Sequence, residues 1–230
     1  MAAVAGLVAA LAVPVGATGA PNVTHESWTM QGVLADAYWS VYQGEEPPEE
    51  VPEPEVGTPQ ALYIQGADAT SVYRAPGQKP ERMPQPPLIA MGLMMPGVNP
   101  GDEPYPAELW CVAEESSFSV ARDLSSAELE VPSCEAQVVI WDEETQEETT
   151  NGVTVTLSAT VEWTATGPAE TQKSHWRNTF GSSWTMDISQ STMRPASADI
   201  IVTGLPGGTF DETASEAMIQ KVKYATLTHF

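Results

Sequence analysis

Histidine and cysteine, two residue types that often serve as general base and nucleophile, are few, and their spacing matches no common catalytic motif. The chain has three His and two Cys. Of the histidines only His175 lies in a strand-like stretch, because His25 is near the N-terminus and His229 is the penultimate residue. Residues 181–184 (GSSW) lack the second glycine of a nucleophile elbow, and no HxH or HExxH pair marks a zinc site. We therefore predict no catalytic residue and no zinc.

Carboxylates are abundant, with 31 Asp and Glu against 9 Lys and Arg. Such an excess always supplies a pair suited to hydrolysis, so a secreted carbohydrate or peptide hydrolase with a carboxylate or calcium-assisted site is the alternative to a binding function. Of the two acidic stretches, 44–59 and 142–148, the second is the better calcium candidate, with Asp142, Glu144 and Asn151 as ligands. The run lacks the DxDxDG spacing of an EF-hand loop, and a solvated hairpin is the simpler interpretation. We predict no cofactor, with calcium as the alternative.

Seven tryptophans are a high number for a chain of this length. Aromatic side chains exposed on a β-sheet can stack on sugar rings, although core and cross-strand packing is the simpler role for most of them. Trp176 lies between His175 and Arg177, and Trp184 lies between a serine and a threonine. These polar flanks predict exposure, so His175, Trp176, Arg177 and Trp184 are the candidate contacts for a carbohydrate or a protein ligand.

The acidity of the chain excludes two classes of partner. The formal net charge is −22 and the isoelectric point is about 4.2. Nucleic acid and anionic membrane surfaces repel such a chain, so neither is predicted as a partner. Two acidic runs, residues 44–59 and 142–148, hold eleven of the 31 acids, and the other acids are spread along the chain. This composition fits either a high-salt habitat or a secreted protein that its charge keeps soluble.

Residues 1–20 have the pattern of a signal peptide. Residues 2–13 contain no polar side chain, a run too short to span a bilayer, and small residues suited to cleavage follow it. No Lys or Arg precedes the run, so an upstream start or a buried N-terminal helix is the alternative. Cys111 and Cys134 are most simply one disulfide, with two buried thiols as the alternative. We predict a secreted protein, extracellular, periplasmic or at the cell surface, with no membrane attachment after signal removal.

Residues 21–230 are predicted to form a single domain with two interruptions. A Pro/Glu-rich loop lies at 44–59, and a Pro-rich segment lies at 75–106. Proline removes backbone donors and like charges repel each other, so both stretches predict mostly irregular structure. The apolar run at residues 88–95, inside the second stretch, predicts a buried strand.

Short strands must therefore position the candidate side chains. Residues 153–164 alternate apolar and polar over one long strand, and Asn151-Gly152 is a strong hairpin signal. Residues 213–220 indicate at most one short helix. The pattern predicts an all-β fold, an antiparallel β-sandwich or a partly open barrel, of about nine to eleven strands.

Gly, Trp and Phe recur at spaced positions between Trp163 and Phe230, in the segments WTATGP, HWRN, FGSSWTMDISQS, ASADIIVTG and KVKYATLTHF. This part of the chain, under a third of it, resembles the C-terminal parts of uncharacterised secreted bacterial β-rich proteins. The resemblance brings no function and no site residue. The sequence as a whole predicts a secreted, acidic β-sandwich protein that serves as a non-enzymatic binding or structural module.

Overall fold

The computed structural model describes residues 25–41, 57–75, 77–85, 88–95, 107–113, 116–142, 147–173 and 184–229. Over these residues the chain forms twelve β-strands and no helix, which confirms the predicted all-β class. The strands are β1 His25–Ser40, β2 Ala61–Arg74, β3 Glu81–Pro84, β4 Leu88–Met95, β5 Ala107–Val112, β6 Ser117–Val120, β7 Ser126–Asp142, β8 Glu147–Ala165, β9 Glu170–Gln172, β10 Trp184–Leu205, β11 Gly208–Thr213 and β12 Glu216–His229. The predicted signal peptide and most of the Pro/Glu-rich loop lie outside the described residues.

The strands join into a single antiparallel sheet that closes on itself in a ring. Eight strands make the ring in the order β1-β12-β10-β8-β7-β5-β4-β2, and β2 returns to β1 to close it. Four short strands lie off the ring, where β3 pairs with β2, β6 with β7, and both β9 and β11 with β10. Closure gives each ring strand partners on both sides, which leaves few open edges for unwanted pairing.

One hydrophobic core fills the inside of the ring, and the predicted alternation in β8 builds part of it. From Leu157 to Trp163 every second side chain is buried, while those between are more exposed. Trp163 is the largest fully buried side chain among the described residues, and its Nε1 donates a 2.9 Å hydrogen bond to the backbone carbonyl of Asp36 in β1. This bond connects β8 to β1 across the inside of the ring.

Cys111 and Cys134 form the predicted disulfide. The bond joins β5 to β7, which are neighbours in the ring, with 6.1 Å between the Cα atoms, and both residues are buried. On the chain-entropy account, closing a loop between residues 23 positions apart stabilises the fold by roughly 3 kcal/mol. The bond fits an oxidising environment.

The predicted turn at Asn151-Gly152 is wrong. Both residues lie inside β8, and the pairing of β7 with β8 continues past them to Asp142 and Glu147. Between the pairs made by Gln137 and Val139 of β7, β8 has three residues where β7 has one. This register irregularity absorbs the Asn-Gly pair, much as a β-bulge does.

The predicted short helix at residues 213–220 is also wrong. These residues end β11 and begin β12, with a break at Ala214 and Ser215. From Glu216 onward the backbone pairs with β1, and from Met218 with β10 as well, so long-range pairing overrides the local helical pattern. At the break, the Ala214 amide donates to the carbonyl of Ala198 at 2.7 Å, which keeps the segment attached to β10.

Candidate binding face

Three aromatic side chains form a row on the outside of the ring. Tyr38 of β1 pairs with Tyr63 of β2. Tyr63 pairs in turn with Gly92 of β4, which pairs with Trp110 of β5. Each aromatic residue lies between two buried neighbours in the sequence, so it faces outward. Because neighbouring strands are about 4.8 Å apart, this aromatic row of Tyr38, Tyr63 and Trp110 extends about 14 Å across the sheet.

The aromatic row is open to solvent at both ends. Tyr38 is 42% exposed and Trp110 is 37% exposed, whereas Tyr63 is half-buried between them. A Cβ atom added at Gly92 would lie 3.3 Å from Cζ2 of Trp110, which is tighter than an ordinary van der Waals contact. The indole therefore lies close to the backbone of β4, in space that a larger residue would occupy.

Further apolar side chains surround the aromatic row. Met94 of β4 is 44% exposed and Val112 of β5 is 61% exposed. Together with the two end aromatics they are four of the six large hydrophobic side chains that are exposed among the described residues; the other two are Val41, directly after β1, and Ile201 in β10. Exposed apolar surface gathered in one region, rather than scattered, is typical of an interaction site.

We define the aromatic face as the outward side chains of residues 36–40, 61–65, 90–94, 108–112 and 216–218, which the strand registers place side by side. The acids of the aromatic face are Asp36, Glu108 and Glu216, and its residues include no Lys or Arg. Glu216 pairs with Tyr38 on β1, and Glu108 pairs with Met94 on β4. Carboxylates therefore flank the aromatic row at both ends.

Asp36 is the perturbed acid of the aromatic face. Burial raises its pKa from 3.8 to about 6; a backbone hydrogen bond opposes the rise, and the negative charge of Glu216 adds to it. One carboxylate oxygen, Oδ1, is shielded from solvent and accepts no hydrogen bond from the described residues. Burial also raises the pKa of Tyr63 to about 12, with a contribution from the charge of Asp36. The two side chains share one electrostatic environment.

The ligand contacts predicted from the sequence are not part of this face. His175, Trp176 and Arg177 lie outside the described residues. Trp184 begins β10, where its backbone pairs with Thr228, and its side chain is not described. These four contacts stay predictions.

Two of the three calcium candidates lie on the strands β7 and β8. Asp142 ends β7 and Asn151 lies within β8, while Glu144 falls outside the described residues. Within the described part of the chain, no group of three or more His, Cys, Asp or Glu is placed to hold a metal ion. Calcium binding at the hairpin stays a prediction.

The sequence predictions missed the aromatic face, although a local signal for it exists. Leu109, Trp110 and Cys111 are apolar in succession, and successive side chains of a strand face opposite sides. If Leu109 and Cys111 face the core, Trp110 faces outward. The alignment of Trp110 with Tyr63 and Tyr38 depends on the register of four strands, which no local pattern contains.

A second surface feature is a shallow depression of about 160 Å³ on the outside of β7, β8 and β10. Glu130, Ser158 and Thr203 are among the residues that line it, and the two hydroxyls hydrogen-bond each other at 2.6 Å. Since these hydroxyls already pair with each other and Glu130 is the one charged lining residue, the depression offers a ligand less than the aromatic face does.

No protein-family model matches the chain, and no curated protein matches it at a significant level. The described residues include no helix that is long and apolar enough to cross a membrane. The fold and the surface define the class: an all-β protein whose ring-shaped sheet carries an aromatic face on its outside.

Proposed function

We propose that the protein is a non-enzymatic binding module that works outside the cytoplasm and holds its ligand on the aromatic face. The aromatic row is the observation that carries this proposal, because Tyr38 and Trp110 stay exposed at the two ends of an aligned series. Tyr and Trp offer a large apolar area together with a polar atom, and they are enriched in surfaces that bind other molecules. Leaving such area in water is unfavourable unless a ligand covers it.

Three features support a location outside the cytoplasm. The buried disulfide between Cys111 and Cys134 fits an oxidising environment. Residues 1–20 have the pattern of a signal peptide, and the net charge of −22 keeps a released protein soluble. Together they favour the extracellular medium, the periplasm or the cell surface.

The aromatic face suits a ligand that lies along the sheet, either a carbohydrate chain or a protein segment. Both can cover the aromatic row, and both can donate hydrogen bonds to the flanking carboxylates of Glu108 and Glu216. Nucleic acid and anionic membranes fit poorly, because the same carboxylates repel phosphate groups.

The alternative function, a hydrolase, has one observation in its favour. Asp36 has a raised pKa beside the charge of Glu216, and two carboxylates with different pKa values are the acid and base of many glycosidases. Both residues face the outer side of the sheet, however, whereas hydrolases commonly enclose their acids in a cleft that limits water. Release of reducing ends from a neutral glucan by the wild type, lost in Asp36→Asn, would favour the hydrolase.

Alanine variants test the binding proposal. Trp110→Ala removes one exposed end of the aromatic row, and Ile201→Ala removes a comparable side chain, 40% exposed, outside the aromatic face. Isothermal titration calorimetry with a soluble neutral glucan and with a basic oligopeptide gives the affinities. We expect Trp110→Ala to weaken binding about tenfold or more, since aromatic anchors carry much of the binding energy. Ile201→Ala should bind as the wild type does.

Circular dichroism checks that both variants fold. Equal affinity of the wild type and Trp110→Ala would contradict the proposal. The same holds if the wild type binds neither probe.

A further inference from the structure

The aromatic face carries charge of one sign. Its three acids, Asp36, Glu108 and Glu216, are accompanied by no Lys or Arg. Carboxylates beside aromatic rings attract a cation in two ways, by charge and by the negative face of the ring. An anionic ligand meets repulsion both from these acids and from the net charge of −22. Charge complementarity therefore favours a cationic ligand.

Building on the proposed function, we infer that the ligand of the aromatic face is a basic segment of a partner protein. The segment is extended, with Lys or Arg towards both ends and apolar residues between them. The basic side chains pair with Glu108 and Glu216, and the apolar middle covers the aromatic row. Charge-assisted hydrogen bonds fix the two ends of such a segment on the sheet.

The positions of the two outer acids set the spacing of the basic residues. Glu216 lies on β12 and Glu108 lies on β5, which are separated by the intervening strands β1, β2 and β4. Four strand spacings correspond to about 19 Å, and the register offsets Glu108 by two residues, about 7 Å, along the strands, so the two acids are about 20 Å apart. An extended peptide advances about 3.3–3.6 Å per residue, so basic residues about five or six positions apart reach both carboxylates.

Two other occupants fit the same surface less well. A neutral glycan stacks on aromatic rings and can donate hydrogen bonds to the carboxylates, but it carries no positive charge to pair with them. A second copy of the chain brings the same three acids, so like charges oppose self-association. Both occupants are outcomes that the experiment below distinguishes.

Calorimetry with short synthetic peptides tests the ligand class. The probe is a peptide with two Lys five positions apart and alternating Val and Thr between them; the matched control peptide has Gln in place of both Lys. At low salt we expect the wild type to bind the Lys peptide at least about tenfold more tightly than the Gln peptide. Salt at about 0.5 M should remove most of this difference, because it screens exposed charges.

Charge variants separate a specific site from general attraction. Glu108→Gln combined with Glu216→Gln removes two acids of the aromatic face. Asp68→Asn combined with Glu162→Gln removes two exposed acids elsewhere on the sheet. We expect the first pair to weaken binding of the Lys peptide about tenfold and the second pair less than about twofold. Equal weakening by both pairs would indicate only long-range attraction and would overturn the inference.

The remaining outcomes distinguish the inference from the proposed function. Binding of the neutral glucan that depends on Trp110, without binding of the Lys peptide, would overturn the inference and leave the binding module standing. Binding of neither probe would contradict both. Self-association in light scattering that Trp110→Ala abolishes would identify a second copy as the occupant and would also overturn the inference.

Discussion

Replacing Asp36 with Asn should make the folded protein more stable at neutral pH, because it removes a charge that the fold holds in a poorly solvated place. Burial raises the pKa of Asp36 to about 6, against 3.8 for an ordinary Asp. Between these two values the folded chain keeps a proton that the unfolded chain has released. The free energy of unfolding therefore falls as the pH rises through this range. Asn carries no charge at any pH, so the variant does not lose this part of the free energy of unfolding as the pH rises.

The size of the effect follows from the pKa difference. The rise from 3.8 to about 6 corresponds to roughly 3 kcal/mol, at about 1.36 kcal/mol per pH unit. That value is an upper limit, because water reaches part of the carboxylate and screens its charge. We expect Asp36→Asn to raise the free energy of unfolding by about 1–2 kcal/mol at neutral pH. Below the pKa of an unfolded Asp, both states are protonated and the gain should vanish.

Urea denaturation at neutral and at acidic pH, with the disulfide intact, measures these free energies. Asp68→Asn is the matched control, because Asp68 is an exposed carboxylate of β2. The control should change the free energy of unfolding by less than about 0.5 kcal/mol at either pH. If Asp36→Asn is no more stable than the wild type at neutral pH, burial does not destabilise the Asp36 carboxylate. A gain of the same size at acidic pH would equally rule out its charge as the cause.

Three further predictions concern the contact between Gly92 and Trp110, the disulfide and the hydrogen bond of Trp163. Gly92→Val should displace Trp110, because even a Cβ atom would lie 3.3 Å from its Cζ2; an unchanged near-ultraviolet circular dichroism spectrum would argue against this contact. Replacing both Cys111 and Cys134 with Ser should lower the free energy of unfolding by roughly 3 kcal/mol in urea. Alkylation of the native protein before reduction should add no mass, and an added mass would disprove the disulfide. Trp163→Phe should lower the free energy of unfolding by about 1–3 kcal/mol, because a partly buried carbonyl of β1 loses this donor; a change below about 0.5 kcal/mol would show that this bond contributes little.

Local features of this fold could be predicted from the sequence, and long-range pairing could not. The alternation from Val153 to Trp163 is local, and the strand it predicts has the expected inward face. The pairing of Cys111 with Cys134 follows from there being two cysteines, and it is confirmed. Asn151-Gly152 is an equally local signal, yet the pairing of β7 with β8 extends past it.

Strand β10 shows how pairing decides what local patterns leave open. It runs from Trp184 to Leu205 through Pro195, a residue that ordinarily argues against a central strand. Pro195 is the last residue that pairs with β12, and Ala196 is the first that pairs with β8. The missing amide of proline therefore falls where one ladder ends and the other begins, and the strand continues.

Locating a ligand on the folded protein tests the binding function most directly. Two-dimensional NMR of isotope-labelled protein, titrated with the Lys peptide and separately with the neutral glucan, reports which backbone amides change. We predict that the changes concentrate in the aromatic face, residues 36–40, 61–65, 90–94, 108–112 and 216–218, and that Trp110→Ala needs about tenfold more ligand to reach the same changes. Changes confined to other strands, such as the depression around Ser158 and Thr203, would contradict a binding function for the aromatic face. So would a spectrum that neither ligand alters.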